Sequence, residues 1–303
     1  MTEQKKKSAF VALIGRPSVG KSTLLNKFCG EKVAIVSTVP QTTRNAIRGI
    51  VNREQGQLVF VDTPGRHNSQ KKFNKKLMEV SARALAETDL ILYVMDAARA
   101  PGPEEEEVAA LLEPLAYKTI AAVNKMDVSG ADFTRAAGFL SLRLPALAKE
   151  RCFGVSANTG QGIEDLLCAL YAMAQEGDAL YGDEYYTDQE VEFRIAEIIR
   201  EQAINRLYQE LPHSLYVEVA DSEFVEKDSK SPKLWVRAFI IVERESQKGM
   251  VVGKGGEMIK AIRLASLKEL SRIFDWKIEL DLRVKTGKDW RHNDHTLRRI
   301  IDR

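Results

Sequence analysis

The chain contains one octet of residues, Gly15–Ser22, that matches the phosphate-binding pattern G-x-x-x-x-G-K-[ST]. In such a loop, backbone N–H groups and the first turn of the following helix surround the phosphate oxygens of a nucleotide. Lys21 would place its ammonium group between the β- and γ-phosphates, and the Ser22 hydroxyl would be a Mg²⁺ ligand. The loop residues predicted to contact the nucleotide are Gly15, Arg16, Pro17, Ser18, Val19, Gly20, Lys21, Ser22 and Thr23.

A second motif, Asp62-Thr-Pro-Gly65, directly follows a short apolar run. Asp62, at the end of a predicted strand, would hold Mg²⁺ through a water molecule. The Gly65 N–H would face the γ-phosphate, because only glycine lets the backbone come so close. The residues that this motif adds to the predicted nucleotide contacts are Asp62, Thr63, Pro64 and Gly65.

The segment Pro40-Gln-Thr-Thr-Arg44, between these two motifs, is predicted to respond to the nucleotide. Thr43 would reach Mg²⁺ while the γ-phosphate is present and let go after hydrolysis, which is an order–disorder switch. Thr42 is the alternative ligand, and a polar surface loop is the other interpretation of the segment. The predicted catalytic residues are Lys21, Thr43, Asp62 and Gly65, and the predicted metal ligands are Ser22, Thr43 and Asp62.

Two further motifs, Asn124-Lys-Met-Asp127 and Ser156-Ala-Asn158, are expected to choose the base. The Asp127 carboxylate can accept two hydrogen bonds, from guanine N1–H and N2–H₂, and adenine offers no such pair. Lys125 would lie along the base, Asn124 would tie loops together, and the Ala157 N–H would reach guanine O6. The predicted base contacts are Asn124, Lys125, Asp127, Ser156, Ala157 and Asn158. Four motifs in this order predict that GTP or GDP is bound.

The sequence lacks one residue that many GTPases use for catalysis. A water-orienting glutamine often follows the Asp-x-x-Gly motif, and Arg66 and His67 stand there instead. Arg66 could stabilise transition-state charge, or it could be an exposed loop residue. We therefore expect slow intrinsic hydrolysis that a partner or an ion accelerates. The lysines Lys71, Lys72, Lys75 and Lys76 would belong to a second switch.

The elements that must position these motifs alternate between apolar runs and helical patterns. Continuous apolar runs are typical of strands buried on both faces, and their alternation with helices predicts an α/β fold. The predicted strands are Phe10–Ile14, Leu58–Val61, Leu90–Met95, Thr119–Val123 and Cys152–Val155. The predicted helices are Lys21–Phe28, Phe73–Ala86, Glu104–Leu112 and Ile163–Ala174. The expected fold is a P-loop GTPase domain with a doubly wound, mostly parallel sheet, and each motif follows a strand, where ligands bind in such sheets.

The second half of the chain has a different pattern. We expect a GTPase domain over residues 1–177, a linker over 178–188 and a second domain over 189–303. Its predicted order is helix, strand, strand, helix, G-x-x-G, helix, strand, which is typical of an α+β type II KH module that binds RNA. The residues predicted to bind RNA are Gly253, Lys254, Gly255, Gly256, Lys260 and Arg263. A solvated basic helix on an ordinary α+β domain is the competing interpretation.

Charge is distributed unevenly, although the net charge is only +2. Residues 183–232 hold 5 Lys or Arg against 13 Asp or Glu, a net charge of −8. Residues 233–303 hold 17 against 10, a net charge of +7. The C-terminal segment is therefore basic although the whole chain is nearly neutral, and a basic segment is a possible nucleic-acid-binding surface.

Composition excludes several other classes of protein. The 303 residues are 44% hydrophobic and 29% charged, as in globular proteins. No apolar run approaches the roughly 18 residues of a membrane helix, and the N-terminus lacks the apolar core of a signal peptide. We therefore expect a cytoplasmic protein, and a monomer, because no oligomer seam is evident. His292 and His295 have no evident third ligand, so no metal site is predicted there.

Together these residues resemble the Era family of ribosome-associated GTPases, from about Phe10 to Arg299. The features that carry the resemblance are Gly15–Leu25, Gln41–Arg44, Asp62–Gly65, Asn124–Asp127, Ser156–Gly162, Glu197–Arg200, Glu210–Ser214, Gly249–Ile259 and Val284–Arg299. The resemblance implies a Mg²⁺-dependent GTPase that assembles the small ribosomal subunit and binds the 3′ end of its rRNA through the KH domain. It also implies weak peripheral contact with the inner face of the cell membrane, for which the sequence offers no clear anchor.

Two residues depart from the family pattern. Relatives often carry, at position 18, an asparagine that helps to bind an activating K⁺ ion, and this chain has Ser18, which leaves K⁺ open as a cofactor. Arg66 stands where relatives usually have an apolar residue. The alternative function is a constitutive RNA-binding assembly factor with a mainly structural nucleotide site. A tRNA-modifying GTPase is a third hypothesis, but its accessory domains are not found here.

Overall fold

The computed structural model describes residues 6–37, 39, 42–64, 82–225, 232–293, 296, 297 and 300. The chain folds into two compact units. The first unit comprises Met1–Ala34 and Thr43–Asp188, and the second comprises Ile35–Thr42 and Gln189–Arg303. Gly65 and the predicted second switch after it, with Lys71, Lys72, Lys75 and Lys76, lie outside the described residues, as do Arg66 and His67.

A twisted α/β sheet forms the centre of the first unit. Its strands are β1 (Lys7–Ile14), β2 (Ile47–Arg53), β3 (Gly56–Asp62), β4 (Leu90–Asp96), β5 (Thr119–Asn124), β6 (Cys152–Gly154) and β7 (Gln175–Glu176). Among the described residues the strand order is β2-β3-β1-β4-β5-β6, and β7 pairs with the first residues of β1. The central strands run parallel, whereas β2 and β7 are antiparallel to their neighbours. The predicted doubly wound, mostly parallel sheet is confirmed.

Helices cover this sheet and bury its apolar strands. They are α1 (Lys21–Cys29), α2 (residues 82–87), α3 (Pro103–Leu112), α4 (Phe133–Arg143) and α5 (Ile163–Met173). Every residue of β3, β4 and β5 is buried, which explains why their sequences are continuously apolar. Only the last part of the predicted helix Phe73–Ala86 falls among the described residues, where α2 is helical.

Strands β2 and β7 and helix α4 of the first unit were not predicted. Strand β2 contains Arg48 and Asn52, which interrupt its apolar pattern because it lies at the edge of the sheet. Helix α4 has Asp132 as its N-cap residue, whose side chain accepts a hydrogen bond from the Arg135 N–H. This is the usual helix cap, and it was a recognisable signal in the sequence.

The expected linker, residues 178–188, lies along the first unit rather than apart from it. The Gln57 Oε1 atom accepts hydrogen bonds from the N–H groups of Leu180 and Tyr181, at 2.8 and 2.9 Å. Farther along, the Ile50 N–H donates to the Tyr186 carbonyl at 2.9 Å. These bonds run from an irregular segment to the edge strand β2 and its neighbour β3, so the segment groups with the first unit up to residue 188.

The second unit has the element order predicted for a KH module. Its elements are α6 (Val191–Ile204), α7 (Leu211–Ser214), β8 (Leu215–Val225), β9 (Lys233–Val242), α8 (Glu245–Val252), α9 (Glu257–Ile273) and β10 (Lys277–Thr286). Strand β9 lies between the other two, antiparallel to β8 and parallel to β10. A parallel pair needs a long crossover, and here α8 and α9 provide it.

The core of the second unit lies between the sheet and helices α6 and α9. Alternate residues of β9 and β10 point into it, and α6 contributes Ile195, Ile198 and Ile199. Ile35, far away in the sequence, belongs to the same buried cluster and is 5% exposed. In neither unit does a described helix have the length and apolar character needed to cross a membrane.

Candidate functional site

The phosphate-binding loop connects β1 to α1 and holds Lys21 in a buried position. The Lys21 Nζ atom donates hydrogen bonds to the carbonyls of Gly15 and Arg16, both at 3.0 Å. Burial lowers the pKa of Lys21 from 10.5 to about 8, and the nearby carboxylates of Asp62 and Glu104 oppose this shift. The loop passes so close to β4 that a Cβ atom on Gly15 would lie 2.3 Å from the Val94 carbonyl oxygen. The loop therefore wraps around an ammonium group, as a phosphate site requires.

Three oxygen-bearing side chains meet beside this lysine. Ser22 Oγ donates to Asp62 Oδ2 at 2.6 Å, and Thr43 Oγ1 lies 3.2 Å from the same carboxylate oxygen and 2.9 Å from Ser22 Oγ. Asp62 is fully buried, and burial raises its pKa, while Lys21 and the two hydroxyl groups counteract that rise. The structure thus brings together all three predicted metal ligands.

This oxygen cluster fits a Mg²⁺ ion. Asp62 Oδ1 is buried, and no described residue forms a hydrogen bond with it. A buried carboxylate oxygen without a partner is costly unless a ligand or water satisfies it. One carboxylate and two hydroxyl groups are hard oxygen donors of the kind that Mg²⁺ prefers.

The rest of the Asp62 motif turns away from the sheet. The Thr63 hydroxyl donates to the Leu13 carbonyl at 2.8 Å, which ties the end of β3 to β1. Pro64 is the last described residue before the gap, and Gly65 lies outside the described residues. The Thr63 side chain therefore has a structural partner, and any nucleotide contact from this turn would come from its backbone.

Asn124 links the phosphate loop to the fourth motif. Its Nδ2 donates to the Val19 carbonyl at 2.9 Å, and its Oδ1 accepts from the Ala157 N–H at 3.0 Å. The loop-tying role predicted for Asn124 is what the structure shows. The Ala157 N–H bonds Asn124 in this structure, and its bond to guanine O6 stays a prediction.

Lys125 is held by a residue that the sequence analysis missed. Its Nζ donates to the Ser18 carbonyl and to Asp96 Oδ2, both at 2.7 Å. Asp96 is the last residue of β4, and its side chain is 2% exposed. A charged residue at the carboxyl end of a central, otherwise apolar strand is a signal that could have identified it.

Asp127 presents its carboxylate to solvent. It accepts hydrogen bonds from Ser156 Oγ at 2.6 Å and from Asn158 Nδ2 at 3.3 Å. These bonds, the one from Ser156 above all, lower the pKa of Asp127, which keeps the group ionised and able to accept hydrogen bonds from a nucleotide base. Ser156 and Asn158 thus orient the predicted guanine acceptor.

Arg16, which is predicted to contact the nucleotide, uses its backbone and its side chain in different contacts. Its carbonyl bonds Lys21, but its guanidinium forms an ion pair with Glu105 of α3, with Nε 2.6 Å from Oε1. Both side chains are largely buried, at 11% and 3% exposure. The ion pair anchors the phosphate loop to α3, and sequence spacing gave no indication of it.

The G-x-x-G turn of the second unit separates α8 from α9. Gly255 and Gly256 have φ angles of +61° and +81°, in the left-handed region that favours glycine. A Cβ atom on either residue would meet no protein atom within 4 Å. Nothing within the described protein crowds these two glycines, so a ligand can approach their backbone. Lys254 and Lys260, the predicted flanking cations, are exposed beside them.

A groove lies in the same unit, between α9 and the edge of the sheet. Its volume is about 620 Å³. Its lining residues are Trp235, Arg263, Leu267, Lys277, Ile278, Glu279, Leu280, Asp281 and Leu282. Arg263 lines the groove and donates from Nε to the Leu280 carbonyl at 2.6 Å, so the guanidinium is fixed there. Of the predicted RNA contacts, Arg263 is the one that lines this groove.

Comparisons with known proteins agree with this arrangement. A family model described as a 50S ribosome-binding GTPase matches residues 10–125, and a KH domain model matches residues 210–291. The chain is 51% identical to GTPase Era of Treponema denticola over 295 residues, which cover 97% of this chain and 99% of that protein. The chain belongs to the GTPase Era family. The predicted family, the fold class and GTP hydrolysis as the activity are thereby confirmed.

Solved structures of Era have the same fold over nearly the whole chain. An Era variant from Aquifex aeolicus bound to GDP·AlF₄⁻ is 31% identical, with a TM-score of 0.91 over 97% of this chain and 98% of that one. Another Era structure, in complex with MgGDPNP and nucleotides 1506–1542 of 16S ribosomal RNA, is 30% identical with the same TM-score and coverage.

Proposed function

We propose that this GTPase is a switch protein that binds the 3′ end of small-subunit rRNA and acts in assembly of the small ribosomal subunit. The observation that carries the proposal is the open G-x-x-G turn at the start of α9, the helix that also lines a groove, in the same chain as the oxygen cluster of Ser22, Thr43 and Asp62. The Era relative bound to 16S rRNA has this fold and supports the same class of partner. We expect the protein to act as a monomer in the cytoplasm, with any membrane contact weak and peripheral.

At the GTPase site, the chain supplies positioning and charge. Lys21 would exchange its carbonyl bonds for the β- and γ-phosphate oxygens, and the loop amides would surround them. Ser22, Thr43 and Asp62 would hold Mg²⁺, with Asp62 acting directly or through a water molecule. Held there, the ion would supply positive charge that offsets the negative charge of the phosphates.

Guanine would be selected by the ionised carboxylate of Asp127. That group can accept from N1–H and N2–H₂ at once, whereas adenine would leave it without donors. Lys125, fixed by Asp96 and the Ser18 carbonyl, places its aliphatic stem beside the phosphate loop. We propose that this stem supports one face of the base.

In the second unit, the turn would hold the backbone of single-stranded RNA. A G-x-x-G turn clamps about four nucleotides, and the missing Cβ atoms let phosphates approach the amides. Lys254 and Lys260 add positive charge, and Arg263 and Leu267 would line one wall of the base groove. The unpaired edge of β10, which within the described sheet bonds only to β9, offers backbone groups to the bases.

The test is single-turnover GTP hydrolysis, with and without an RNA oligomer that matches the 3′ end of the organism's small-subunit rRNA. We expect RNA to accelerate hydrolysis in the wild type and not in the Gly255→Asp, Gly256→Asp double variant. Gly138→Asp is the matched control, because Gly138 lies in α4 of the first unit with equally open space around it. RNA affinity that is equal in the double variant and the wild type would remove the turn from the proposal.

The alternative, a constitutive RNA-binding factor, predicts a different result. A Lys21→Ala variant that hydrolyses no GTP but still supports subunit assembly would favour it. The convergence of Lys21, Ser22, Thr43 and Asp62 in one buried site argues for the switch, because a purely structural nucleotide site has no need of a γ-phosphate sensor.

A further inference from the structure

We propose that Arg200 is a positioning residue for GTP hydrolysis, acting through the backbone of Thr42 on Thr43. Arg200 lies on α6 of the second unit, and its Nη2 atom donates to the Thr42 carbonyl at 2.6 Å. Thr42 is the last residue of the segment Ile35–Thr42 that groups with this unit. The inference rests on the proposed role of Thr43 as a Mg²⁺ ligand.

The Arg200 guanidinium is itself fixed. It is 2% exposed, and it forms a two-pronged ion pair with Glu197, one turn earlier on α6, with Nε 2.7 Å from Oε1. Such planar pairs restrict the orientation of the arginine as well as its position. The donor that reaches Thr42 is therefore held in place before any nucleotide binds.

Two further contacts attach the same segment to α6. The Val36 N–H donates to Glu201 Oε1 at 2.9 Å, and Glu201 is 3% exposed. Ile35 packs into the buried cluster that contains Ile195 and Ile199. The segment is thus held at its start by Ile35 and Val36 and at its end by Thr42.

The step from Thr42 to Thr43 is set by the peptide bond. The Thr42 carbonyl and the Thr43 N–H belong to one planar unit, and that plane ends at the Thr43 Cα atom. A hydrogen bond that fixes the carbonyl therefore restricts the position of the Thr43 Cα atom, and rotation about the φ angle of Thr43 then sets where its side chain points. Thr43 Oγ1 then lies 3.2 Å from Asp62 Oδ2 in the oxygen cluster.

This geometry gives Glu197 and Arg200 a function in the nucleotide cycle. They stabilise the conformation in which Thr43 is a ligand, without touching nucleotide or metal. Arg200 and Thr42 belong to the same unit, and Thr43 is the next residue in the chain. Loss of the Arg200 bond would leave Thr43 present but less often in position.

The experiment compares the wild type with Arg200→Met, with Arg272→Met as the control. Arg272 pairs with Glu269 at the same i,i+3 spacing on α9 of the same unit, so the control removes a helix ion pair of the same spacing, with the arginine 63% exposed instead of 2%. Hydrogen exchange of the nucleotide-free protein is measured over residues 35–43, and the Mg²⁺ dependence of single-turnover hydrolysis is measured without RNA. Thr43→Ala is the reference for losing the ligand itself.

We expect faster exchange over residues 35–43 in Arg200→Met and a half-saturating Mg²⁺ concentration raised roughly tenfold, as for loss of one charged hydrogen bond. GDP affinity and the Arg272→Met control should be unchanged. A purely structural role would lower the melting temperature and leave the Mg²⁺ dependence where it was, which would overturn the inference.

Two further variants, Glu197→Gln and Thr43→Ala, distinguish an error in the role of Arg200 from an error in the role of Thr43. If Arg200→Met does not fold, Glu197→Gln weakens the same guanidinium clamp, and an unchanged Mg²⁺ dependence in that variant overturns the inference. If Thr43→Ala leaves the Mg²⁺ dependence unchanged, the proposed role of Thr43 is wrong. If Thr43→Ala is impaired and Arg200→Met is not, only the role of Arg200 is wrong.

Discussion

A Cβ atom on Gly20 would lie 2.4 Å from the Nδ2 atom of Asn124. The phosphate loop and the guanine motif are therefore packed against each other at a point where no side chain fits. The same Asn124 nitrogen donates to the neighbouring Val19 carbonyl at 2.9 Å. The phosphate loop and the guanine motif share this contact, so a substitution that displaces one should also displace the other.

Gly20→Ala should lower the affinity for GTP and GDP by about tenfold or more, because the methyl group displaces Asn124. Gly30→Ala is the control: Gly20 and Gly30 both have left-handed φ angles, +99° and +70°, but a Cβ on Gly30 meets nothing within 4 Å. The control should cost about 1 kcal/mol of folding free energy and leave nucleotide affinity intact. Affinities measured by fluorescent-nucleotide titration would contradict this account if both variants bound equally well.

Asp127→Asn should exchange the preference for guanine for a preference for xanthine. The amide can donate to xanthine O2, where the carboxylate could only accept, so affinity for GDP should fall by at least about a hundredfold. Competition of GDP and xanthosine diphosphate for the site measures the exchange. Unchanged GDP affinity would show that Asp127 does not contact the base.

Nucleotide binding should take up a proton above pH 8. Burial holds the pKa of Lys21 at about 8 in the free protein, and phosphate oxygens stabilise the ammonium form, so the pKa rises on binding. Affinity should therefore decline as pH increases beyond about 8. Calorimetry at pH 8.5 in two buffers of different ionisation enthalpy measures the uptake.

The control for this uptake is Lys21→Arg, whose guanidinium keeps its charge throughout this range. The same pKa shift has a consequence for stability. Between pH 8 and 10.5 an unfolded lysine binds more proton than the folded one, so the contribution of Lys21 to the free energy of unfolding rises with pH. Buffer-independent binding enthalpies in the wild type would contradict the predicted uptake.

Ser18→Asn should introduce a response to K⁺. Ser18 has a φ angle of +64°, a conformation that asparagine tolerates better than most residues, so the substitution should not disturb the loop. We expect hydrolysis in the wild type to be equal in KCl and NaCl, and hydrolysis in the variant to be faster in KCl. Potassium stimulation of the wild type would show that the asparagine is not required.

The sequence predicted the parts of the site that depend on local order. Each motif follows an apolar strand, and the carboxyl ends of parallel strands meet at one edge, so Lys21, Asp62 and Asn124 could be placed together in advance. Asp96 was missed because no motif contains it, although its position at the end of β4 follows the same rule. The ion pair of Arg16 with Glu105 joins residues 89 positions apart, and periodicity carries no information about such contacts.

The second unit shows the same limit. The order of helices, strands and the G-x-x-G turn could be predicted from apolar alternation and glycine spacing. That Ile35–Thr42 belongs to the second unit could not be predicted, because the bond from Val36 to Glu201 spans 165 positions in the sequence. The Glu197–Arg200 motif was recognised as a family feature, and only the fold shows what it holds.

The KH unit is discontinuous in the sequence, because it comprises Ile35–Thr42 as well as Gln189–Arg303. A fragment that begins at residue 189 would contain α6 but lose Ile35, a core residue that is 5% exposed in the intact protein. Glu201 and Arg200 would lose the backbone partners that they bond at Val36 and Thr42. Such a fragment would keep the Glu197–Arg200 ion pair but lack a core side chain and two buried hydrogen bonds, so RNA-binding measurements made on it would describe a damaged domain.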